Sequence, residues 1–124
     1  MSSYADRPNI LIIITHDLGT RLSCYGESSV QTPALDSLAA SGVRFANHFC
    51  TAPYCSPSRG AIFTGKYPHT NGLMGLTNLN WDLPDANATL ARILGSDGYE
   101  TFLLGFQHEV RGNERLNTYF QHVS

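Results

Sequence analysis

The pattern of apolar runs and turn residues predicts an α/β fold, a mostly parallel sheet with helices on both faces. Asn9–Thr15 contains five consecutive apolar residues, most of them β-branched, which is typical of a strand covered on both faces of a parallel sheet. Tyr99–Leu104 predicts a second buried strand. Between these runs lie segments that open with Ser, Thr or Pro and close with Gly, the usual limits of helices. Helical crossovers between parallel strands account for this order.

Length and composition are those of one folded domain. The 124 residues are 42% hydrophobic and 15% charged, and a net charge of −2 gives no electrostatic basis for binding nucleic acid or an anionic membrane. The apolar run near the start is too short to span a bilayer and lacks the features of a signal peptide. We therefore expect no membrane span, and a protein that stays in the cytoplasm or is exported with its signal removed.

The first half of the chain supplies a strand end, a helix and a second strand. His16 and Asp17 follow the first predicted strand at its carboxyl end, where open α/β sheets bind their ligands. Thr32–Gly42 predicts a helix, because it has an N-cap threonine, a proline at the first position and a terminal glycine. Val43–Cys50 is a half-alternating, aromatic segment, with apolar residues at Val43, Phe45 and Phe49, and it predicts a strand.

The segment from Cys55 to Gly65 is the most informative part of the sequence. Ser56 is a good helix N-cap, the following proline fits the first helical position, and Gly65 fits just past the end. Cys55 is thereby placed immediately before a short helix, where free N–H groups and the helix dipole favour anions. Arg59 lies one turn further on and can return to the same anion. A reactive or merely packed thiol remains the alternative.

This segment resembles the signature of the sulfatase family, Cys-x-Pro-Ser-Arg followed by Thr-Gly, which is complete here from Cys55 to Gly65. The resemblance implies that Cys55 is oxidised to formylglycine, an aldehyde whose hydrate is the nucleophile. Cys24 and Cys50 make the cysteine count odd. A disulfide between them is open, but two reduced thiols are favoured.

The resemblance also implies a divalent metal. Sulfatases usually carry two adjacent aspartates after the first strand, and here Asp17 retains the second while His16 replaces the first. Asp17, His16 and the group at Cys55 are therefore the expected ligands. Carboxylates favour Ca²⁺, whereas the imidazole leaves Mg²⁺, Mn²⁺ or Zn²⁺ open. A turn carboxylate for Asp17 and a hydrogen-bonded strand-end role for His16 are the alternatives.

A third site segment follows the last predicted strand. Sulfatases commonly end this strand with Gly-Lys-x-His, and here Gly105 and His108 match while Phe106 replaces the lysine. His108 is the expected acid/base group, since imidazole exchanges protons near neutral pH. A strand-end histidine bonded to a backbone carbonyl is the alternative.

Two further segments carry weaker signals. Lys66–Leu76 resembles the N-sulfoglucosamine sulfohydrolase (heparan N-sulfatase) branch of the family, so His69 lies either on a pocket rim or in a loop held by glycines and a capping asparagine. Another helix is predicted to begin at Asp85 or Asn87 and to run to Ser96. Asn87 also opens a glycosylation sequon, although a helix cap explains it more simply.

Taken from Pro8 to about His108, the resemblance implies the alkaline-phosphatase-like fold. It implies a hydrolase of sulfuric esters or sulfamates that acts on a sulfated small molecule or glycan. A formylglycine-generating enzyme or radical maturase would be its maturation partner. Family members run to several hundred residues, so residues 1–124 are expected to be the N-terminal portion of a catalytic domain and to be inactive alone. A phosphonate or phosphate-ester hydrolase and a non-catalytic domain with unmodified Cys55 remain alternatives.

Overall fold

The computed structural model describes residues 7–84, 89–112 and 115–124. The chain forms two compact units, Met1–His48 and Phe49–Ser124. The α-helices and strands of the described residues are α1 (Pro33–Ser41), α2 (Cys55–Thr64), α3 (Pro68–Asn71), α4 (Leu90–Ser96), β1 (Phe102–Leu103) and β2 (His122–Val123). None of these helices has the length and apolar character needed to cross a membrane.

In the first unit, α1 confirms the helix predicted over Thr32–Gly42. Thr32 is the N-cap residue, Pro33 begins the helix and Gly42 ends it. The Thr32 hydroxyl does not cap the helix backbone. It lies 2.6 Å from the Ser23 hydroxyl and donates to Asp36, and these contacts hold a short 3₁₀ turn, Ser23–Tyr25, to the start of α1.

The two strands predicted in the first half of the chain are absent from the structure. Neither Asn9–Thr15 nor Val43–Cys50 forms a ladder with any of the described residues. Leu11 and Ile13 are largely exposed instead. An apolar run predicts burial, but a strand also needs a neighbour that accepts its backbone hydrogen bonds. No described segment supplies that neighbour here.

The second unit is organised around α2. The helix begins at Cys55, with Tyr54 as its N-cap residue, so the prediction that Ser56 caps it is wrong. The Ser56 hydroxyl is fully buried and accepts a hydrogen bond from the Thr77 backbone N–H at 3.2 Å. Gly65 ends the helix in the left-handed region, with φ 64°, as predicted.

Helix α2 packs closely against the hydrophobic core, where the backbone of Gly60 meets the side chain of Leu73. A Cβ atom on Gly60 would lie 2.9 Å from Cδ2 of Leu73, which is completely buried. The core beneath contains Leu73, Leu83, Val110, Leu116 and Tyr119, with Leu103 and Phe120 packed against it. The absence of a side chain at position 60 therefore lets α2 lie directly on the core.

The start predicted for α4, Asp85 or Asn87, lies outside the described residues, as does the asparagine of the sequon. Helix α4 begins at Leu90 and is capped by Thr89, whose hydroxyl accepts a hydrogen bond from the Arg92 backbone N–H. Helix α4 ends at Ser96 as predicted, and Gly98 follows with φ 88°.

Strands β1 and β2 form a two-stranded parallel sheet. Phe102 pairs with His122, and Leu103 pairs with Val123. Strand β1 lies inside the strand predicted over Tyr99–Leu104, whereas β2 comes from a polar segment for which no strand was predicted. The helices and this small parallel sheet agree with the predicted α/β class.

Candidate active site

Two side chains meet at the sulfur of Cys55. Arg59 Nε donates to Cys55 Sγ at 3.3 Å, and His108 Nδ1 lies 3.2 Å from the same atom. Cys55 is the first residue of α2, and Arg59 follows one turn later on the same side of the helix. The helix N-terminus and the guanidinium thus favour negative charge at the position of the sulfur.

The chain after β1 carries His108 to this place. Gly105 has φ 83°, a conformation that favours glycine, and its N–H donates to the carbonyl of Ser124 just beyond β2. The chain thereby turns away from the sheet, and the imidazole of His108 reaches Cys55, 53 residues earlier in sequence. The structure therefore brings together the three predicted catalytic side chains, Cys55, Arg59 and His108.

Sequence reasoning missed Glu109, a buried acid at the same site. It is 4% exposed, and its Oε2 accepts a hydrogen bond from the His108 backbone N–H at 2.8 Å. Burial raises the pKa of the Glu109 carboxyl, although the hydrogen bond from His108 and the charge of Arg59 act in the opposite direction. An acid directly after the histidine of the motif was the signal for it, but nothing in the sequence showed that it is buried.

Phe106 occupies the position at which the resemblance to sulfatases implies a lysine. Its ring centroid lies 5.4 Å from the guanidinium carbon of Arg59 and 5.2 Å from the imidazole of His108. The site therefore has an aromatic ring where a second cation was expected, and the guanidinium of Arg59 lies over the face of that ring. Arg59 is itself 8% exposed.

A cavity of about 620 Å³ lies beside His108. The carboxyl ends of β1 and β2 border it, which is the usual ligand position in α/β folds. Its lining is about equally polar and apolar, and the polar residues include Thr77, Asn78, Asn80, Gln107 and Arg111. These hydroxyl, amide and guanidinium groups are suited to hydrogen-bond a polar molecule.

His16 and Asp17, the predicted metal ligands in the first unit, form a close pair. His16 Nδ1 lies 3.3 Å from Asp17 Oδ2, and the Asp17 side chain is 90% exposed. Among residues 7–84, 89–112 and 115–124, no group of three or more His, Cys, Asp or Glu side chains could hold a metal ion. The imidazole and the carboxylate are suitable metal ligands, but a metal ion needs more than two ligands. The described residues therefore do not complete a metal site.

The loop after α2 is held in place by the side-chain hydrogen bonds of Asn71. Asn71 is buried, its amide donates to the Thr64 hydroxyl at 3.1 Å, and its side-chain oxygen accepts from the Leu73 N–H at 2.8 Å. His69 is exposed and stacks on Tyr67, with ring centroids 5.7 Å apart. Cys24 and Cys50 are free thiols, as favoured from the sequence, and Cys55 forms no disulfide either.

Comparison with known proteins places this arrangement in a family. The chain is 43% identical over 114 residues to arylsulfatase D of Homo sapiens, a match that covers 85% of the chain and 19% of that protein. It is 41% identical to the steryl-sulfatase of Mus musculus, over 82% of the chain and 18% of the relative. It is 38% identical to the N-acetylglucosamine-6-O-sulfatase of Bacteroides thetaiotaomicron, over 84% of the chain and 18% of the relative.

The chain thus spans about a fifth of the length of the curated relatives it matches. No solved structure matches it at a significant level. The sequence model of the family named Sulfatase matches residues 8–123, nearly the whole chain. With the complete signature at Cys55–Gly65, this match shows that the chain belongs to the sulfatase family.

Proposed function

We propose that the whole protein carrying this sequence hydrolyses sulfuric esters or sulfamates, with a formylglycine derived from Cys55 as its nucleophile. The sulfatase family generally uses formylglycine and a divalent metal. The observation that carries the proposal is the convergence of Arg59 and His108 on Cys55 Sγ, within 3.3 Å, at the start of α2. Residues 1–124 would be the N-terminal portion of an alkaline-phosphatase-like catalytic domain.

Maturation comes first in the proposed sequence of events. One C–H bond and the Cβ–S bond of Cys55 break, Cβ loses two electrons and becomes an aldehyde carbon, and sulfur leaves as hydrogen sulfide. Molecular oxygen would be the oxidant in a formylglycine-generating enzyme and an organic radical in a radical maturase, with O₂ or water supplying the aldehyde oxygen. Water then adds to the aldehyde, so two hydroxyl groups take the place of Sγ beside Arg59 and His108.

Transfer follows when one of these hydroxyl oxygens attacks the sulfur of the substrate in line. A new S–O bond forms, and the bond between sulfur and the leaving oxygen or nitrogen breaks. The attacking hydroxyl releases its proton to solvent, and His108 gives a proton to the leaving group. Arg59 and the N-terminus of α2 stabilise the charge on the sulfuryl oxygens.

Release depends on the second hydroxyl of the hydrate. Loss of its proton lets the C=O bond form again while the C–O bond to sulfate breaks, and water later rehydrates the aldehyde. An unmodified thiol or a serine has no second hydroxyl and would remain as the covalent ester. Conversion of Cys55 is therefore required for turnover.

Asp17 and His16 are proposed as two ligands of the divalent metal, with Ca²⁺ favoured by the carboxylate. The group at Cys55 as a further ligand stays a prediction from the family resemblance. Because the described residues do not complete the metal site, none of the steps above passes through a metal.

A sulfated carbohydrate is the proposed substrate class. The polar side chains in the cavity beside His108 support it, because their hydroxyl and amide groups match the hydrogen-bonding groups of a sugar. The relative named N-acetylglucosamine-6-O-sulfatase supports it as well. The relatives named arylsulfatase and steryl-sulfatase make aryl and steryl sulfates the necessary comparison substrates.

The test is expression of the whole protein together with a maturation enzyme, followed by mass spectrometry of the Cys55 peptide and assays of sugar, aryl and steryl sulfates. We expect an aldehyde at position 55 and hydrolysis of a sulfated sugar. Cys55→Ser is the matched control, and it should form a stable ester without turnover. An intact thiol, or turnover of phosphate esters alone, would refute the proposal.

A further inference from the structure

We propose that Glu109 is a positioning residue that sets both Arg59 and His108 against the group at position 55. The inference rests on the proposed function and adds to it a residue outside the sulfatase signature. Glu109 touches His108 directly and interacts electrostatically with Arg59. One buried carboxylate thus holds the backbone of His108 and feels the charge of Arg59, the two residues whose side chains reach Cys55 Sγ.

The contact with His108 fixes the backbone from which the imidazole projects. Oε2 of Glu109 accepts the His108 N–H at 2.8 Å. The backbone of Glu109 is itself held, since its N–H donates to Gln107 Oε1 at 3.1 Å and its carbonyl accepts from the Leu83 N–H at 3.2 Å. Side chains of the turn after β1 therefore bond to the backbone of the same turn, and these bonds fix the backbone position from which the His108 imidazole projects.

The interaction with Arg59 has a different basis. Arg59 is 8% exposed and Glu109 is 4% exposed, and a buried guanidinium needs a nearby negative charge. Its Nε–H points to Cys55 Sγ. With the Glu109 charge in place, Arg59 can remain at the site before any anionic substrate arrives. Arg59 is then positioned in advance of the reaction, and such preorganisation lowers the barrier of the chemical step more than it strengthens substrate binding.

The two contacts can be separated by substitution. Glu109→Gln keeps an oxygen that accepts the His108 N–H but removes the charge beside Arg59. Glu109→Ala removes both. The matched control is Glu100→Gln, the same chemical change at a carboxylate that is 67% exposed and lies 2.9 Å from His122 Nε2.

The measurement is steady-state kinetics of the whole matured protein with its sulfate ester. We expect kcat to fall about tenfold in Glu109→Gln and about a hundredfold in Glu109→Ala, with KM within about threefold of the original value. Glu100→Gln should change neither constant. A Glu109→Ala variant with an unchanged kcat, or one that loses activity only through a raised KM, would overturn the inference.

A second readout does not depend on turnover. In unconverted protein labelled with ¹⁵N-arginine and ¹⁵N-histidine, the Arg59 Nε–H and His108 backbone N–H signals should both shift in Glu109→Ala. In Glu109→Gln the Arg59 signal should shift more than that of His108. Unchanged signals would overturn the positioning role. Failure of the original protein to hydrolyse any sulfate ester would instead refute the proposed function and leave this readout to decide the inference.

Discussion

At the scale of single residues, the sulfur of Cys55 marks the place that the hydrate oxygens would take after the proposed conversion. Its neighbours are therefore the neighbours of the proposed nucleophile. Arg59 carries a permanent charge, whereas the imidazole of His108 can donate or accept a proton. A fixed cation and a proton-exchanging group, both within 3.3 Å of one atom, are the two functions that the proposed transfer requires.

The buried carboxyl of Glu109 should make the free energy of unfolding depend on pH. Burial raises the pKa of its carboxyl in the folded protein, so the folded state holds this proton to a higher pH than the unfolded chain does. Between the ordinary carboxyl pKa and the raised pKa, the folded state binds more protons. The free energy of unfolding must then fall as the pH rises through that interval. Glu109→Gln, which has no such proton, should show a shallower fall.

The measurement is urea unfolding of both proteins at a series of mildly acidic pH values. The groups that face the carboxyl are His108 and Arg59. Both are present in the two proteins, so the difference between the slopes belongs chiefly to Glu109. Glu100→Gln again serves as the control. Identical slopes in the original protein and Glu109→Gln would show that the carboxyl does not titrate in this interval.

At the scale of elements, the position of α2 depends on the missing side chain at Gly60. In Gly60→Ala the new Cβ would lie 2.9 Å from Cδ2 of Leu73, which is fully buried and cannot move aside freely. Overpacking costs about 1–3 kcal/mol, and the better helix propensity of alanine returns at most about 1 kcal/mol. We expect a net loss of about 1 kcal/mol in the free energy of unfolding.

Gly95→Ala is the matched control in α4. Its new Cβ would meet only Cγ2 of Thr101, at 3.9 Å, so the substitution should stabilise the protein by a few tenths of a kcal/mol to about 1 kcal/mol. Thermal melting of the two variants and the original protein gives the comparison. If Gly60→Ala raised the melting temperature as Gly95→Ala is expected to, the close packing of α2 on Leu73 would be wrong.

The elements that the sequence predicted well are those specified by neighbouring residues. Helix α1 was predicted with its bounds, because a proline and a glycine fix its ends locally. Helix α2 was predicted in place but with the wrong cap, since Ser56 is engaged by Thr77, a contact that no local pattern reveals. Strands depend on partners far along the chain. The run Asn9–Thr15 was therefore predicted as a strand that the structure does not form.

At the scale of the whole molecule, burial is concentrated in the second unit. Every residue of the core cluster lies between positions 73 and 119, and none of the described residues of the first unit is fully buried. The predicted site residues divide in the same way. Cys55, Arg59 and His108 were predictable from the family motifs, but the burial of Glu109 is a tertiary property. The proposed metal ligands His16 and Asp17 lie in the first unit, whereas the proposed catalytic residues lie in the second. The metal ligands therefore most need a direct test.

Chelation of the proposed divalent metal should therefore abolish turnover by the whole protein, and Ca²⁺ should restore it. Asp17→Asn keeps the size of the side chain but removes its charge, so we expect the affinity for Ca²⁺ to fall about tenfold or more. Conversion of Cys55 should be unaffected. Metal content after dialysis and activity against added Ca²⁺ are the measurements.

Glu27→Gln is the control, because Glu27 is an exposed carboxylate of the same unit that accepts hydrogen bonds from Ser29. Turnover that survives chelation, or equal Ca²⁺ affinities in the two variants, would remove Asp17 from the proposed ligand set.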